Sequence, residues 1–166
     1  MSLNATMQVF DASSMVYAWD NYPIRQFPGL WEWMGVQIAE RKLRIPGVAF
    51  EEVTNEDPDC GQWLENNNII KVDVNNAIMQ DALRIKGLLG IAGDSYHPKG
   101  VGENDILIIA TARAHSAELV SDEGKQNQLP DNMAKRKIPA VCAMPEVSIP
   151  CINFIEYIKR SGVIFC

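Results

Sequence analysis

The chain lacks most of the features that would assign a class at once. None of its apolar runs approaches the ~20 residues needed to cross a bilayer. Its opening residues, Met1-Ser2-Leu3-Asn4-Ala5-Thr6, have neither the basic start nor the apolar stretch of a secretion signal. The expected compartment is therefore the cytoplasm, and residues 1–6 are set aside as a disordered lead or cloning remnant. Positive charge is scarce too: 15 Lys and Arg face 21 Asp and Glu, a net charge of −6 with a pI near 4.9. Proteins that grip nucleic acid mainly through its phosphates are usually basic, so this one needs a local basic patch or a bound metal to approach RNA or DNA. The only dense basic cluster is Lys135-Arg136-Lys137, with Lys125 nearby, and its plainer reading is a solvated surface. The four cysteines (Cys60, Cys142, Cys151, Cys166) are far apart and form no C-x-x-C pair, which argues against a zinc site. Reduced, mostly buried thiols are the expectation. No internal repeat or low-complexity tract is present.

What remains is the composition of a soluble globular protein, 47% hydrophobic and 22% charged over 166 residues, enough for one domain spanning 1–166. Apolar, β-prone segments predict strands at about 7–11, 43–45, 69–72, 119–121 and 149–153. Helical spacing predicts helices at 13–19, from Pro28 through Ile38, around Glu51 and Glu52, 57–64, 75–89, 104–116, from Pro139, and 154–160. Residues 104–116 are apolar around nearly the whole helix, which implies burial. The stretches 90–102 and 124–138 read as loops, the second a possible lid, and 163–165 as an extra edge strand. Strands alternating with helices imply an α/β three-layer sandwich around a mostly parallel central sheet.

Four acids sit beside apolar runs where elements begin or end: Asp11 in Val9-Phe10-Asp11-Ala12-Ser13, Glu52 in Phe50-Glu51-Glu52-Val53, Asp105 in Asn104-Asp105-Ile106-Leu107, and Asp122 or Glu123 in Leu119-Val120-Ser121-Asp122-Glu123-Gly124. Each has an ordinary explanation: Asp11 as a helix N-cap, Glu52 as a surface charge, Asp105 at a helix dipole, and Asp122-Glu123 as a turn. Glu51 points about 100° away from Glu52 around a helix, so at most one of them easily faces a shared site. Strand ends are also where α/β proteins place ligand groups. Carboxylates that converge repel one another unless a cation or proton compensates. Hard cations such as Mg²⁺ take oxygen ligands and pair one or two carboxylates with substrate phosphates.

In order and over nearly the whole chain, these motifs resemble PIN domains, the metal-dependent ribonuclease fold of the VapC-type toxins. The resemblance looks closest to a PIN-like group of prokaryotic proteins of unknown function, through Phe27-Pro28-Gly29-Leu30-Trp31-Glu32-Trp33, Lys137-Ile138-Pro139-Ala140-Val141-Cys142 and Cys151-Ile152-Asn153. It implies a PIN-like fold that hydrolyses RNA phosphodiesters with Mg²⁺ or Mn²⁺. The implied catalytic and metal-binding acids are Asp11, Glu52, Asp105 and Glu123, with Asp122 as the alternative fourth ligand and Ser13 and Ser121 as polar supports. It further implies an RNA substrate, with an antitoxin protein and a homodimer as further partners. Lys125, Arg113 and Lys135–Lys137 are candidates to hold the RNA backbone. The alternative is a PIN-fold module that binds RNA or protein without cutting. A haloacid-dehalogenase-like phosphatase would start its site with D-x-D, and here the second position is Ser13. Trp31, Trp33, Trp63 and Phe27 could stack on bases but read more simply as core; His97 and His115 read as structural or surface residues.

Overall fold

The computed structural model describes residues 6–166, so expectations placed on residues 1–5 lie outside the described residues. Five short strands form one sheet: β1 (Gln8–Phe10), β2 (Leu43–Pro46), β3 (Lys71–Val72), β4 (Glu118–Val120) and β5 (Cys151–Ile152). Their order is β3-β2-β1-β4-β5, and every pairing is parallel. The sheet is thus wholly parallel, with helices packed around it as the middle layer of an α/β three-layer sandwich. A parallel sheet covered on both faces needs strands apolar on both sides, and Val9, Phe10, Leu119 and Val120 are accordingly all fully buried.

The helices are α1 (Ala12–Asn21), α2 (Pro28–Ala39), α3 (Gly47–Glu56), α4 (Pro58–Asn66), α5 (Asn76–Leu88), α6 (Glu103–Ala114), α7 (Ile138–Cys142) and α8 (Phe154–Ser161). Their starts follow local chemistry. Proline opens α2 and α4, where its missing N–H is no loss. The Asn75 and Asn153 side chains accept the Ile78 and Glu156 amides to cap α5 and α8. The all-round apolar character of α6 has the expected result: Ile106 through Ala112 are buried in one unbroken run, which fixes the start of that helix against β1 and β4.

Trp31 is 2% exposed, stacks edge-on with Trp19 and Trp63, and donates its indole N–H to the Tyr22 carbonyl at 2.7 Å. Trp33 and Trp63 are half-buried at the edge of the core, while Phe27 lies largely open. All four cysteines are free; Cys60 and Cys142 are buried, Cys151 is half-buried and Cys166 exposed. No helix among the described residues is long and apolar enough to cross a membrane.

One expectation fails. Residues 163–165 add no edge strand, because Gly162 takes a left-handed conformation (φ 66°) that ends α8 and redirects the chain. The tail then packs on α2, with Phe165 against Trp33 at 5.4 Å between ring centres and Cys166 over Gly29.

Ile108, fully buried at the middle of α6, tests this packing. Ile108→Ala should lower unfolding free energy by about 2–5 kcal/mol in urea titrations. A loss below about 1 kcal/mol would contradict a close-packed α6.

Candidate functional site

Strand order locates the site before any side chain does. From β1 the chain steps outward through β2 and β3, then crosses back to add β4 and β5 on the other side of β1. In such open sheets the connections diverge where the order reverses, leaving a crevice at the carboxyl edge. Here that point lies between β1 and β4, where Phe10 pairs with Val120 and the Asp11 amide donates to the Val120 carbonyl at 2.9 Å.

Asp11 leaves β1 there, 2% exposed. It holds the N-cap position of α1, yet its side chain makes no capping bond. The Ala12 and Ser13 amides lie near enough to favour its charge without reaching hydrogen-bond geometry. Its Oδ2 instead accepts the Ser13 hydroxyl at 2.6 Å and the Ser121 hydroxyl at 3.0 Å. Each serine has one proton, so with both given to Asp11 the 3.4 Å approach of the two Oγ atoms is contact and not a bond. The serine oxygens in turn accept from the turn after β4: Ser13 Oγ from the Asp122 amide at 3.0 Å, Ser121 Oγ from the Glu123 amide at 3.3 Å. One carboxylate thereby fixes the turn that carries two more. Burial raises the Asp11 carboxyl above its ordinary range, and the two hydroxyls oppose that rise.

Asp105 is the third residue of α6, and its Oδ2 accepts the Gly102 amide at 2.9 Å. Its carboxyl is pushed up to about 6, first by burial and then by the charges of Asp11, Glu123 and Glu52, against the pull of the Gly102 bond. Glu52 on α3 is half-buried while Glu51 is exposed, so the helix turns Glu52 toward the other acids. Burial again raises it most, the Asn104 amide opposes at 3.0 Å, and Asp11, Glu56 and Glu123 add to the rise. Asn104 sits in the Asn104-Asp105 pair, but nothing local to the sequence said that it would hold Glu52.

The fourth position divides clearly. Asp122 turns its Oδ1 to the Phe154 amide at the start of α8, at 3.3 Å. Burial raises its carboxyl; the Phe154 amide and nearby Ser14 oppose, though Ser14 Oγ and Asp122 Oδ2 are both buried without a well-formed hydrogen bond. Glu123 is the residue whose charge reaches both Glu52 and Asp105. The charges of Asp11, Glu52 and Glu123 thus reach Asp105, and those of Asp11 and Glu123 reach Glu52, while Asp122, which the charge of Asp11 also reaches, turns an oxygen to α8. No Lys or Arg among the described residues forms an ion pair with any of the five acids. The opposite edge of the sheet differs: buried Glu118, at the start of β4, has Arg160 at 2.6 Å. Nor do three Asp, Glu, His or Cys side chains among the described residues stand gathered as a ready chelate. Like charges keep apart when nothing positive lies between them.

The donor set suits a hard cation. It is all oxygen, and Mg²⁺ needs only one or two carboxylates because it keeps waters and substrate phosphates as its other ligands. At Asp122 and Glu123 lies a crevice of about 180 Å³ lined by Ser121–Lys125, Pro139 and Cys151–Asn153. A roomier groove of about 570 Å³ between α2 and α4 is lined mostly by apolar side chains such as Trp31, Val36 and Trp63 and has no converging ionisable group. Of the basic residues, Arg113 is committed to Asp81 (2.7 Å) and to the Val147 carbonyl, and so is not free to hold RNA. His97 accepts the Lys99 amide and stands apart from the acids, as does His115, whose imidazole is held below its ordinary range by burial and Arg44.

Fold and rim define an α/β protein with a parallel five-stranded sheet and acidic residues along its carboxyl edge, Asp11 at the topological switch point. The same fold occurs in PAE2754 from Pyrobaculum aerophilum, whose crystal structure aligns with a TM-score of 0.52 over 95% of this chain and 90% of that one, at 14% identity. The chain belongs to DUF4411, a family defined by a domain of unknown function, whose profile matches residues 8–165. No curated protein matches the chain.

The raised carboxyls carry a stability consequence. A folded-state pKa above the unfolded value means that the folded protein holds the proton more tightly, so the stabilising contribution is present in acid and lost as pH rises through the folded value. For Asp105 the window runs from about 4 to about 6. In chelator, Asp105→Asn should therefore be more stable than the parent at pH 7, on the order of 1–3 kcal/mol, with the gap closing near pH 4. Equal melting temperatures at pH 7 would contradict an uncompensated charge at this position.

Proposed function

We propose that this protein is a PIN-like, metal-dependent endoribonuclease that cuts RNA phosphodiesters with Mg²⁺ or Mn²⁺ in the cytoplasm. The observation that supports this most is a set of acids on four separate elements along the carboxyl edge, whose charges act on Asp105 and Glu52 and which no ion pair among the described residues meets, whereas the buried acid at the opposite edge has its arginine. The sequence resemblance to PIN domains runs through the same positions.

In this reading Asp11 and Asp105 are the principal ligands, and Glu52 and Glu123 complete the set. Asp122 is a structural residue, since its carboxylate serves the start of α8. Ser13 and Ser121 occupy Asp11 Oδ2, which leaves Oδ1 as the oxygen for a cation. Asn104 steadies Glu52 from the first turn of α6, and Gly102 does the same for Asp105. A cation bound there would shield the charge of the scissile phosphate and acidify an attacking water. It would also compensate the burial and the repulsion that raise Asp105 and Glu52, so binding and folding would be linked.

The toxin of a toxin–antitoxin pair is the biological setting that the resemblance proposes, with an antitoxin and a second copy of the chain as protein partners. Calorimetry with Mn²⁺ separates the nuclease from a module that binds RNA or protein without cutting: heat of binding below about millimolar metal supports the nuclease, and none supports the module. In Mn²⁺ the protein should cut structured RNA, and Asp105→Asn should lower the rate more than about 100-fold. Full activity in that variant would refute this site.

A further inference from the structure

The loop that follows Glu123 returns at Lys137 to the turn after β4, and a single side chain holds it there. Gln126 Oε1 accepts the Lys137 amide at 2.9 Å, while Gln126 Nε2 donates to the Lys135 carbonyl at 3.1 Å. One amide group therefore clamps the Lys135–Lys137 run against the turn after β4. The result is that Lys137 Nζ lies 4.0 Å from where a Cβ on Gly124 would stand, one residue beyond Glu123.

Lys137 is half-buried, and its ammonium has no ion-pair partner among the described residues. Lys135 and Arg136 beside it are also half-buried without an ion pair, whereas Lys125 pairs with Glu156 at 3.4 Å and Arg113 with Asp81; what sets Lys137 apart is that its Nζ reaches Gly124, next to Glu123. In a chain with 21 acids and 15 Lys and Arg, a half-buried ammonium without a carboxylate keeps its charge free for an anion. The crevice of about 180 Å³ opens alongside, bounded by Glu123–Lys125 and by Pro139 two residues past Lys137. A compact, strongly hydrated point charge on a flexible stem suits a phosphate, which it can meet from several directions.

We propose that Lys137 binds a phosphodiester of the RNA strand beside the acidic cluster, with Gln126 as its positioning residue. This rests on the ribonuclease reading and adds to it the element that the acidic net charge withholds: a cation that addresses the backbone of the substrate. It selects for phosphate and not for base, so its contribution is independent of RNA sequence and sensitive to salt.

The test is fluorescence anisotropy with a labelled single-stranded RNA oligonucleotide, in Ca²⁺, across a salt series. Lys137→Gln should weaken binding on the order of tenfold at low salt. It should also reduce the slope of log affinity against log salt by about 0.7, the share of one phosphate contact on a single strand. Lys137→Arg should keep both affinity and slope, and all three proteins should melt alike. If the parent binds RNA and Lys137→Gln matches it in affinity and slope, the assignment of Lys137 is overturned while the ribonuclease reading stands. If the parent shows no RNA binding, both are overturned.

Discussion

A carboxylate buried at the end of the central strand costs several kcal/mol unless its charge is met. Asp11 is in that position, and two serine hydroxyls on one oxygen are the protein's response. Much else at the carboxyl edge depends on this arrangement. Because the same hydroxyls accept the amides of Asp122 and Glu123, the turn after β4 is held by Asp11 as firmly as Asp11 is held by it. Because β1 and β4 are neighbours, the serine that follows one strand reaches the aspartate that follows the other. Hydroxyls soften the burial of a charge without cancelling it, and the carboxyl remains raised.

The two edges of the sheet show what is unusual about this one. Glu118 is buried at the amino edge and paired with Arg160, the ordinary structural solution. At the carboxyl edge α3, α6 and the β4 turn carry three further acids whose neighbours include Asp11, and no ion pair among the described residues meets them. Perturbed carboxyls left without a protein partner are the ground on which a ligand is proposed for this edge. The fold is shared with PAE2754 at 14% identity, and the chain belongs to a family of unknown function.

Much of this was legible in the sequence, for physical reasons that also explain where legibility stopped. The elements followed from local periodicity and punctuation: the apolar run of α6, the prolines that open α2 and α4, and the polar stops after β1 and β4. The 100° step of a helix said that only one of Glu51 and Glu52 would face a shared site, and the PIN resemblance pointed to Glu52, which is the half-buried one. Asp122 against Glu123 was different, because adjacent residues in a turn point apart and only the start of α8, more than thirty positions on, determines which one is occupied. The tail at 163–165 had strand-forming residues, but Gly162 and the aromatic surface of Trp33 outweighed that propensity. Arg113 was a plausible RNA contact until its partners, Asp81 and Val147, were known. Gln126 carried no signal at all, since the clamp it forms exists only once the loop has folded back.

The central claim is that Asp11, Asp105 and their neighbours form one cation site. An anomalous-difference map from a crystal soaked in Mn²⁺ tests it most directly. The account predicts a peak bonded at about 2.1–2.2 Å to carboxylate oxygens of Asp11 and Asp105, with Asp122 still turned to α8. An empty crevice at millimolar Mn²⁺, or a peak held by other residues, would contradict it.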